Sequence, residues 1–325
     1  MSGIATAGLQ PPGDSTGSRS LVVATRSGTT SEARPERNTL IKTELHHERI
    51  AGDGVDLHVV TGGNGPPVLL LHGFPENWRS WQRQIPALVT ADFSVLVPDL
   101  RGYNLSGRPT QKNAYQLDHL VADVVALVQA TGHPRAHVVG HDWGGIIAWT
   151  FADKHPELVD KLVILNAPHL KIYLEKVRHP RQMFRSWYML FFLFPYLPEL
   201  ALSAGNFQAI RDMFKLRPAR KTAFTDTDIE QYIDALSQPG ALTAALNYYR
   251  ANFTIANARR FARLPPLSME TLIIWGELDP GPWESNYSKG LIMWRLIVAF
   301  TEFGTRAIGC RMRRQKKSTR YLSIF

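Results

Sequence analysis

The strongest constraint on this chain is the run Val138-Val139-Gly140-His141-Asp142-Trp143-Gly144-Gly145. An apolar strand pattern, Ala136-His137-Val138-Val139-Gly140, passes without a spacer into an apolar helical pattern over residues 145–155. Only a sharp, strained turn can join the two, and such a turn leaves no room for side chains at Gly140 and Gly144. A strand feeding directly into a helix is the repeating unit of a parallel sheet with helices on its faces. Residue 142 then stands at the end of the sheet, at a helix N-terminus.

The rest of the chain agrees. Two extended segments, around residues 41–50 and 55–61, read as an antiparallel pair. Pro67-Val68-Leu69-Leu70-Leu71-His72 is a continuous apolar run bounded by Pro and Gly, the mark of a buried parallel strand. Further strands are expected at Phe93-Ser94-Val95-Leu96-Val97-Pro98, Leu162-Val163-Ile164-Leu165-Asn166 and Thr271-Leu272-Ile273-Ile274-Trp275. Helical patterns at 78–89, 116–131 and 145–155 alternate with them. Between Pro168 and about Arg263 the strands stop, and the segment is apolar, aromatic and helical in spacing, punctuated by Pro195, Pro198 and Pro239. A helical insert of this size between two sheet strands reads as a cap over the sheet edge. The expected division is a disordered leader (1–40), a core (41–167), the cap (168–263), a last core strand with an acidic residue (264–279) and a divergent basic tail (280–325).

The net charge of +9 does not point to nucleic acid. Arg311, Arg313, Arg314, Lys316, Lys317 and Arg320 crowd into one short run without interleaved aromatics, which reads as a solvated tail. A single cysteine, Cys310, excludes an internal disulfide framework and fits a reducing compartment such as the cytoplasm. Residues 1–40 show no secretory pattern, though their Ser, Thr, Gly and Arg also fit an organellar transit peptide. The longest apolar stretches, 187–197 and 291–300, are too short to span a bilayer. No His, Cys and carboxylate cluster has metal-ligand spacing, and no cofactor motif is present.

The turn at Gly140-His141-Asp142-Trp143-Gly144 has the form of a nucleophile elbow, G-x-S-x-G, with Asp142 where serine would stand. An aspartate there could simply cap the following helix. As a nucleophile it could displace a leaving group from a saturated carbon, giving an alkyl ester that water then hydrolyses.

With this elbow go three further motifs: His72-Gly73-Phe74-Pro75-Glu76, Asp99-Leu100-Arg101-Gly102-Tyr103-Asn104-Leu105-Ser106 and Trp275-Gly276-Glu277-Leu278-Asp279. Together they resemble the α/β-hydrolase fold superfamily and, within it, epoxide hydrolases with an aspartate nucleophile; the likeness covers roughly residues 41–279. The resemblance implies a mostly parallel sheet with helices on both faces and a helical cap after the sixth strand. It implies a cis bond before Pro75 and an oxyanion hole from the backbone N–H groups of Phe74 and Trp143. It makes His72, Gly73, Pro75, Gly140 and Gly144 structural parts of the motifs, and His141 likewise structural rather than catalytic. Asn104 replaces the usual glycine of its segment and is tolerated at positive φ. The cap segment Asn247-Tyr248-Tyr249-Arg250 resembles the N-x-Y-R motif, which maps the proton donor to Tyr249. A second tyrosine maps to Tyr188, which could equally belong to an aromatic core stripe. Asp279 falls where the family's aspartate orients a catalytic histidine.

That histidine is absent. The eleven histidines end at His179, and after Asp279 the family's further helix, strand and histidine loop are not recognisable. The segment from Pro280 to Phe325 looks like sequence from an alternative splice, a retained intron or a frameshift. The sheet is expected to lose its last strand and a covering helix, leaving a bare edge and exposed apolar surface. The resemblance implies a small apolar epoxide as substrate, converted to a diol through a covalent ester, with the second step impaired in this chain. The alternatives are a haloalkane or haloacid dehalogenase using Trp143 as a halide donor, and a binding or vestigial protein that keeps the pocket without turnover. The sequence carries no signal for oligomeric state.

Overall fold

The computed structural model describes residues 44–169, 187–254, 257, 267–276 and 296–298. The expected leader, Asp279 and almost all of the tail lie outside the described residues.

The strands are β1 (His46–Ala51), β2 (Asp56–Gly62), β3 (Pro67–Leu71), β4 (Ser94–Pro98), β5 (Ala136–His141), β6 (Val159–Leu165), β7 (Glu270–Ile274) and β8 (Leu296–Val298), arranged in one sheet in the order β1-β2-β4-β3-β5-β6-β7-β8. β1 and β2 form the expected antiparallel pair, β2 runs antiparallel to β4, and every pairing from β4 to β8 is parallel. Side chains alternate between two apolar clusters. Leu69, Leu71, Val138, Leu162, Ile164 and Ile273 face one way, and Val68, Leu70, Val139, Val163, Leu272 and Ile274 face the other. A sheet covered on both faces needs apolar residues at consecutive positions, which explains the unbroken apolar runs of β3 and β5.

The helices are α1 (Ile85–Thr90), α2 (Leu117–Ala130), α3 (Trp143–Lys154), α4 (Trp187–Phe192), α5 (Leu197–Leu216), α6 (Asp226–Ser237) and α7 (Ala241–Asn252). α2 and α3 pack on the first face, while α1 with Trp78 and Trp81 covers the second. α4 to α7 lie between β6 and β7, where a helical insert is expected. α6 starts at a reciprocal cap, with the Thr225 hydroxyl accepting from Asp228 N–H and the Asp228 carboxylate accepting from Thr225 N–H.

Two expectations need correction. The pattern over 78–89 is not one helix but a 3₁₀ turn at Trp78–Trp81 followed by α1. The Asn77 side chain caps the turn by accepting from Arg79 N–H, and Pro86, which lacks an N–H, restarts the chain as the second residue of α1. The sheet also does not stop at β7. The apolar triplet Leu296-Ile297-Val298 pairs in parallel with Thr271-Leu272-Ile273, so this edge is closed over three residues, and Leu272, Ile273 and Ile274 are buried. Among the described residues no helix follows β8.

The cap helix α7 is tied to the core by buried side chains, Tyr248, whose hydroxyl donates to the Arg101 carbonyl (2.7 Å), and Asn252. Asn252 accepts from Leu117 N–H (2.8 Å) and donates to the carbonyls of Tyr115 and Tyr248 (both 2.8 Å). All of its amide polarity is used at the junction, so burial carries no unsatisfied group.

Candidate active site

Register places the site. Leu71 of β3 pairs with Gly140 of β5, so the loop after β3 and the elbow after β5 leave adjacent strands at the same level. Both open at the carboxyl ends of parallel strands, where ligand crevices form in such sheets. Asp142 takes φ +51° and ψ −118°, a conformation strained for a residue with a Cβ. The surroundings enforce it. A Cβ on Gly140 would run into the Gly144 carbonyl, and one on Gly144 into the carbonyls of Leu71 and His72. A Cβ on Gly73 would come within 2.7 Å of the Asp142 carboxylate. The three glycines thus let two loops and a helix approach one carboxyl group.

Phe74 N–H donates to Asp142 Oδ1 at 2.9 Å, and Trp143 N–H also bears on the carboxylate. The side chain makes no cap bond to the N–H groups two or three residues on, so Asp142 is not spent on capping α3. Burial pushes its carboxyl above the usual aspartate range, against the pull of His141 and of the two N–H groups. A carboxylate raised in this way is less solvated and a better nucleophile than an exposed one.

The loop after β3 is fixed from behind. The Phe74–Pro75 peptide is cis. His72 is fully buried; its Nε2 accepts from Leu100 N–H (3.0 Å), which leaves the proton on Nδ1 to donate to the Gly73 carbonyl (2.9 Å). These two bonds tie the His72 ring to both loops. Glu76, also buried, pairs with His141 Nδ1 at 3.1 Å; burial works against its charge, but His141 holds the carboxyl below the usual range. The next loop is built on Asp99, whose carboxylate accepts from Trp78 N–H, His58 Nδ1 and Asn104 Nδ2 at 3.0, 2.7 and 2.8 Å. Asn104 does adopt positive φ, +42°.

The cap brings two tyrosines to this region. Tyr249 on α7 is 3% exposed. Its ring lies edge-on to Phe74 (5.8 Å), Trp143 (5.0 Å) and Phe192 (5.0 Å). Burial, the Asp142 charge and Tyr188 together push the hydroxyl well above the ordinary tyrosine range, so it stays protonated. Tyr188 on α4 is half-buried and packs edge-on against Phe192. The elements thus bring Asp142, Phe74, Trp143, Tyr249 and Tyr188 together. Asp279 lies outside the described residues. Among those residues, no three His, Cys, Asp or Glu side chains are placed to hold a metal.

Sequence reasoning missed Tyr103. It is buried against His72 (4.9 Å) and Tyr248 (5.4 Å), and its hydroxyl, without a hydrogen-bond partner, is close enough to feel the Asp142 charge. It also missed the Arg101–Asp123 pair that anchors the Asp99–Ser106 segment, with contacts of 2.8 and 2.7 Å.

Residues 66–281 match the family model described as the α/β hydrolase fold. The chain is 37% identical over 238 residues to epoxide hydrolase 4 of Mus musculus, covering 71% of this chain and 65% of that protein. It is 39% identical over 234 residues to epoxide hydrolase 3 of Mus musculus, covering 71% and 62%. It thus spans somewhat less than two thirds of the length of these curated relatives. A crystal structure of Bacillus megaterium epoxide hydrolase with an inhibitor superimposes with a TM-score of 0.72 at 31% identity, over 80% of this chain and 93% of that one. With the aspartate-bearing elbow, the buried tyrosine above it and these likenesses, the chain belongs to the α/β-hydrolase family, in its epoxide-hydrolase group.

Proposed function

We propose that this chain opens a small apolar epoxide by attack of Asp142. One carboxylate oxygen bonds to an epoxide carbon, the C–O bond breaks, and the ring oxygen takes the proton of Tyr249, giving a β-hydroxyalkyl ester on Asp142 and a tyrosinate that solvent reprotonates. Tyr188 shares the hydrogen bond to the epoxide oxygen. The observation that carries this reading is the buried pairing of a desolvated carboxylate with a tyrosine held protonated by burial. In the second step water attacks the ester carbonyl, and the oxyanion falls to the N–H groups of Phe74 and Trp143. Activation of that water is assigned to a histidine oriented by Asp279, and this 325-residue sequence has none after His179. A missing general base lowers a rate by about 10²–10⁴-fold, so the ester accumulates.

The dehalogenase alternative needs the Trp143 indole N–H for a halide, whereas the protonated Tyr249 packed edge-on to that ring suits an epoxide oxygen. Incubation with styrene oxide and, separately, with 1-chlorobutane tests the assignment. The epoxide is expected to be consumed to at most one equivalent of protein, with no chloride release. Chloride release would move the chain to the dehalogenases, and no reaction with either would leave it a non-catalytic binding protein.

A further inference from the structure

Arg250 closes the segment Asn247-Tyr248-Tyr249-Arg250, and the chemistry at Asp142 leaves it unused. Its guanidinium makes four hydrogen bonds to three groups around one turn. Nε donates to the Phe192 carbonyl (3.1 Å), at the last residue of α4, and Nη2 to the Phe194 carbonyl (2.6 Å) in the turn beyond it. Nη1 and Nη2 reach the two Glu199 oxygens, in the first turn of α5, at 2.6 and 2.8 Å. The Arg250 side chain is only 11% exposed, so these partners replace most of the water that a guanidinium would otherwise keep. Burial works against the charge of Glu199, but Arg250 holds its carboxyl below the usual range. Thr243, two turns earlier on α7, adds a hydrogen bond to Glu199 at 3.2 Å.

The turn so gripped is one that needs holding. Tyr196 stands at φ +61°, in the left-handed region that a bulky side chain disfavours. Such a residue persists only where its surroundings fix the chain on both sides. Arg250 does this through two carbonyls before Tyr196 and a carboxylate after it. A guanidinium at the end of α4 also takes carbonyls that the helix leaves unsatisfied. The grip bears on the site because α4 carries Tyr188 and Phe192. The Phe192 ring packs edge-on against both Tyr249 (5.0 Å) and Tyr188 (5.6 Å). Arg250 is the neighbour of Tyr249 in the chain, so the spacing of the two tyrosines passes through its side chain. α7 itself is seated independently, by Tyr248 on the Arg101 carbonyl and by Asn252 on Leu117 and Tyr115. Loss of Arg250 should therefore leave Tyr249 in place and let Tyr188 shift.

We propose that Arg250 is a positioning residue for the proton-donating pair: it ties α4 to α7 and so sets Tyr188 against Tyr249. This role rests on the reading of Tyr249 as proton donor with Tyr188 as its partner.

The test is the rate at which styrene oxide alkylates the full chain, read by intact-mass spectrometry. Arg250→Gln should lower it about tenfold, the worth of one hydrogen bond to the epoxide oxygen. Arg250→Lys should lower it alike, since a point charge cannot bridge two carbonyls and a carboxylate. Tyr188→Phe should slow the parent by the same factor and add nothing in Arg250→Gln, whereas Tyr249→Phe should still slow that variant further. Amide hydrogen exchange in Arg250→Gln should rise over residues 187–199 and stay level over 241–249. A smaller slowing, likewise absorbed by Tyr188→Phe, is expected of Glu199→Gln, which releases one side of the turn and serves as the test if Arg250→Gln fails to fold. Tyr188→Phe slowing both backgrounds by the same factor would overturn the proposal, because Arg250 would then only stabilise the cap. Level exchange over 187–199 would overturn it too. A parent rate in Tyr249→Phe would be a different failure, sinking the proton-donor reading and this role with it.

Discussion

Replacing Tyr249 by phenylalanine probes the first chemical step with little disturbance of packing. The ring keeps its contacts with Phe74, Trp143, Phe192 and Phe253, at 5.8, 5.0, 5.0 and 6.0 Å between centroids. Only the hydroxyl goes. Tyr249 is 3% exposed, so the loss of one buried hydroxyl changes the folding free energy by no more than about 1–3 kcal/mol. A drop of a few degrees in melting temperature follows. The kinetic effect is much larger. Loss of a general acid lowers the rate about 10²–10⁴-fold, equivalent to about 2.7–5.5 kcal/mol of barrier. If Tyr188 donates in its place, the loss falls to the lower end of that range, and Tyr188→Phe/Tyr249→Phe reaches the upper end. The assay is the rate of appearance of the alkylated protein by intact-mass spectrometry under excess styrene oxide. A rate unchanged in Tyr249→Phe, with the protein still folded, would refute Tyr249 as the proton donor.

Three further outcomes are expected. Alkylation needs Asp142 ionised and Tyr249 protonated, and both groups are raised by burial; the rate should therefore fall on acidification with a midpoint above the ordinary aspartate value of about 3.9 and stay level up to about pH 9, and a rate lost between pH 7 and 9 would contradict the assignment. Asp123→Ala strands the buried Arg101 guanidinium, 3% exposed, and should lower the urea-unfolding free energy by about 3–5 kcal/mol, with much of the loss recovered in Arg101→Met/Asp123→Leu. Gly144→Ala drives a Cβ into the backbone carbonyls of Leu71 and His72 and should cost about 3 kcal/mol or more in the same measurement, whereas a fully stable variant would mean that the elbow is looser than described.

The parts of the site that were legible in the sequence are those where the backbone itself is constrained. Gly140 and Gly144 stand where other side chains would strike carbonyls, Pro75 follows a cis bond, and Asn104 substitutes for glycine at positive φ. Each leaves a residue-type signature at a fixed spacing, as do the apolar runs of a sheet covered on both sides. What escaped was long-range polar pairing. Arg101 with Asp123, and Asn252 with Leu117 and Tyr115, join positions whose separation follows from the fold and from no local pattern. Tyr103 was visible as a motif residue, but its closeness to Asp142 depends on how two loops meet. The break within residues 78–89 was signalled by Pro86, which the apolar periodicity masked. β8 escaped because three apolar residues in an unfamiliar segment carry too little pattern to be called a strand, and become one only against the open edge of β7.

The most direct measurement is the mass of the intact 325-residue protein after incubation with a small epoxide. On the proposed reading Asp142 and Tyr249 carry the ring opening, and residues 280–325 of this sequence contain no histidine to help release the ester. The predicted result is a persistent adduct of one epoxide per chain, located on Asp142 by peptide mapping and missing from Asp142→Asn at early times. Sustained diol release over many turnovers with no adduct would contradict it, and would mean that a residue other than the expected histidine activates the water.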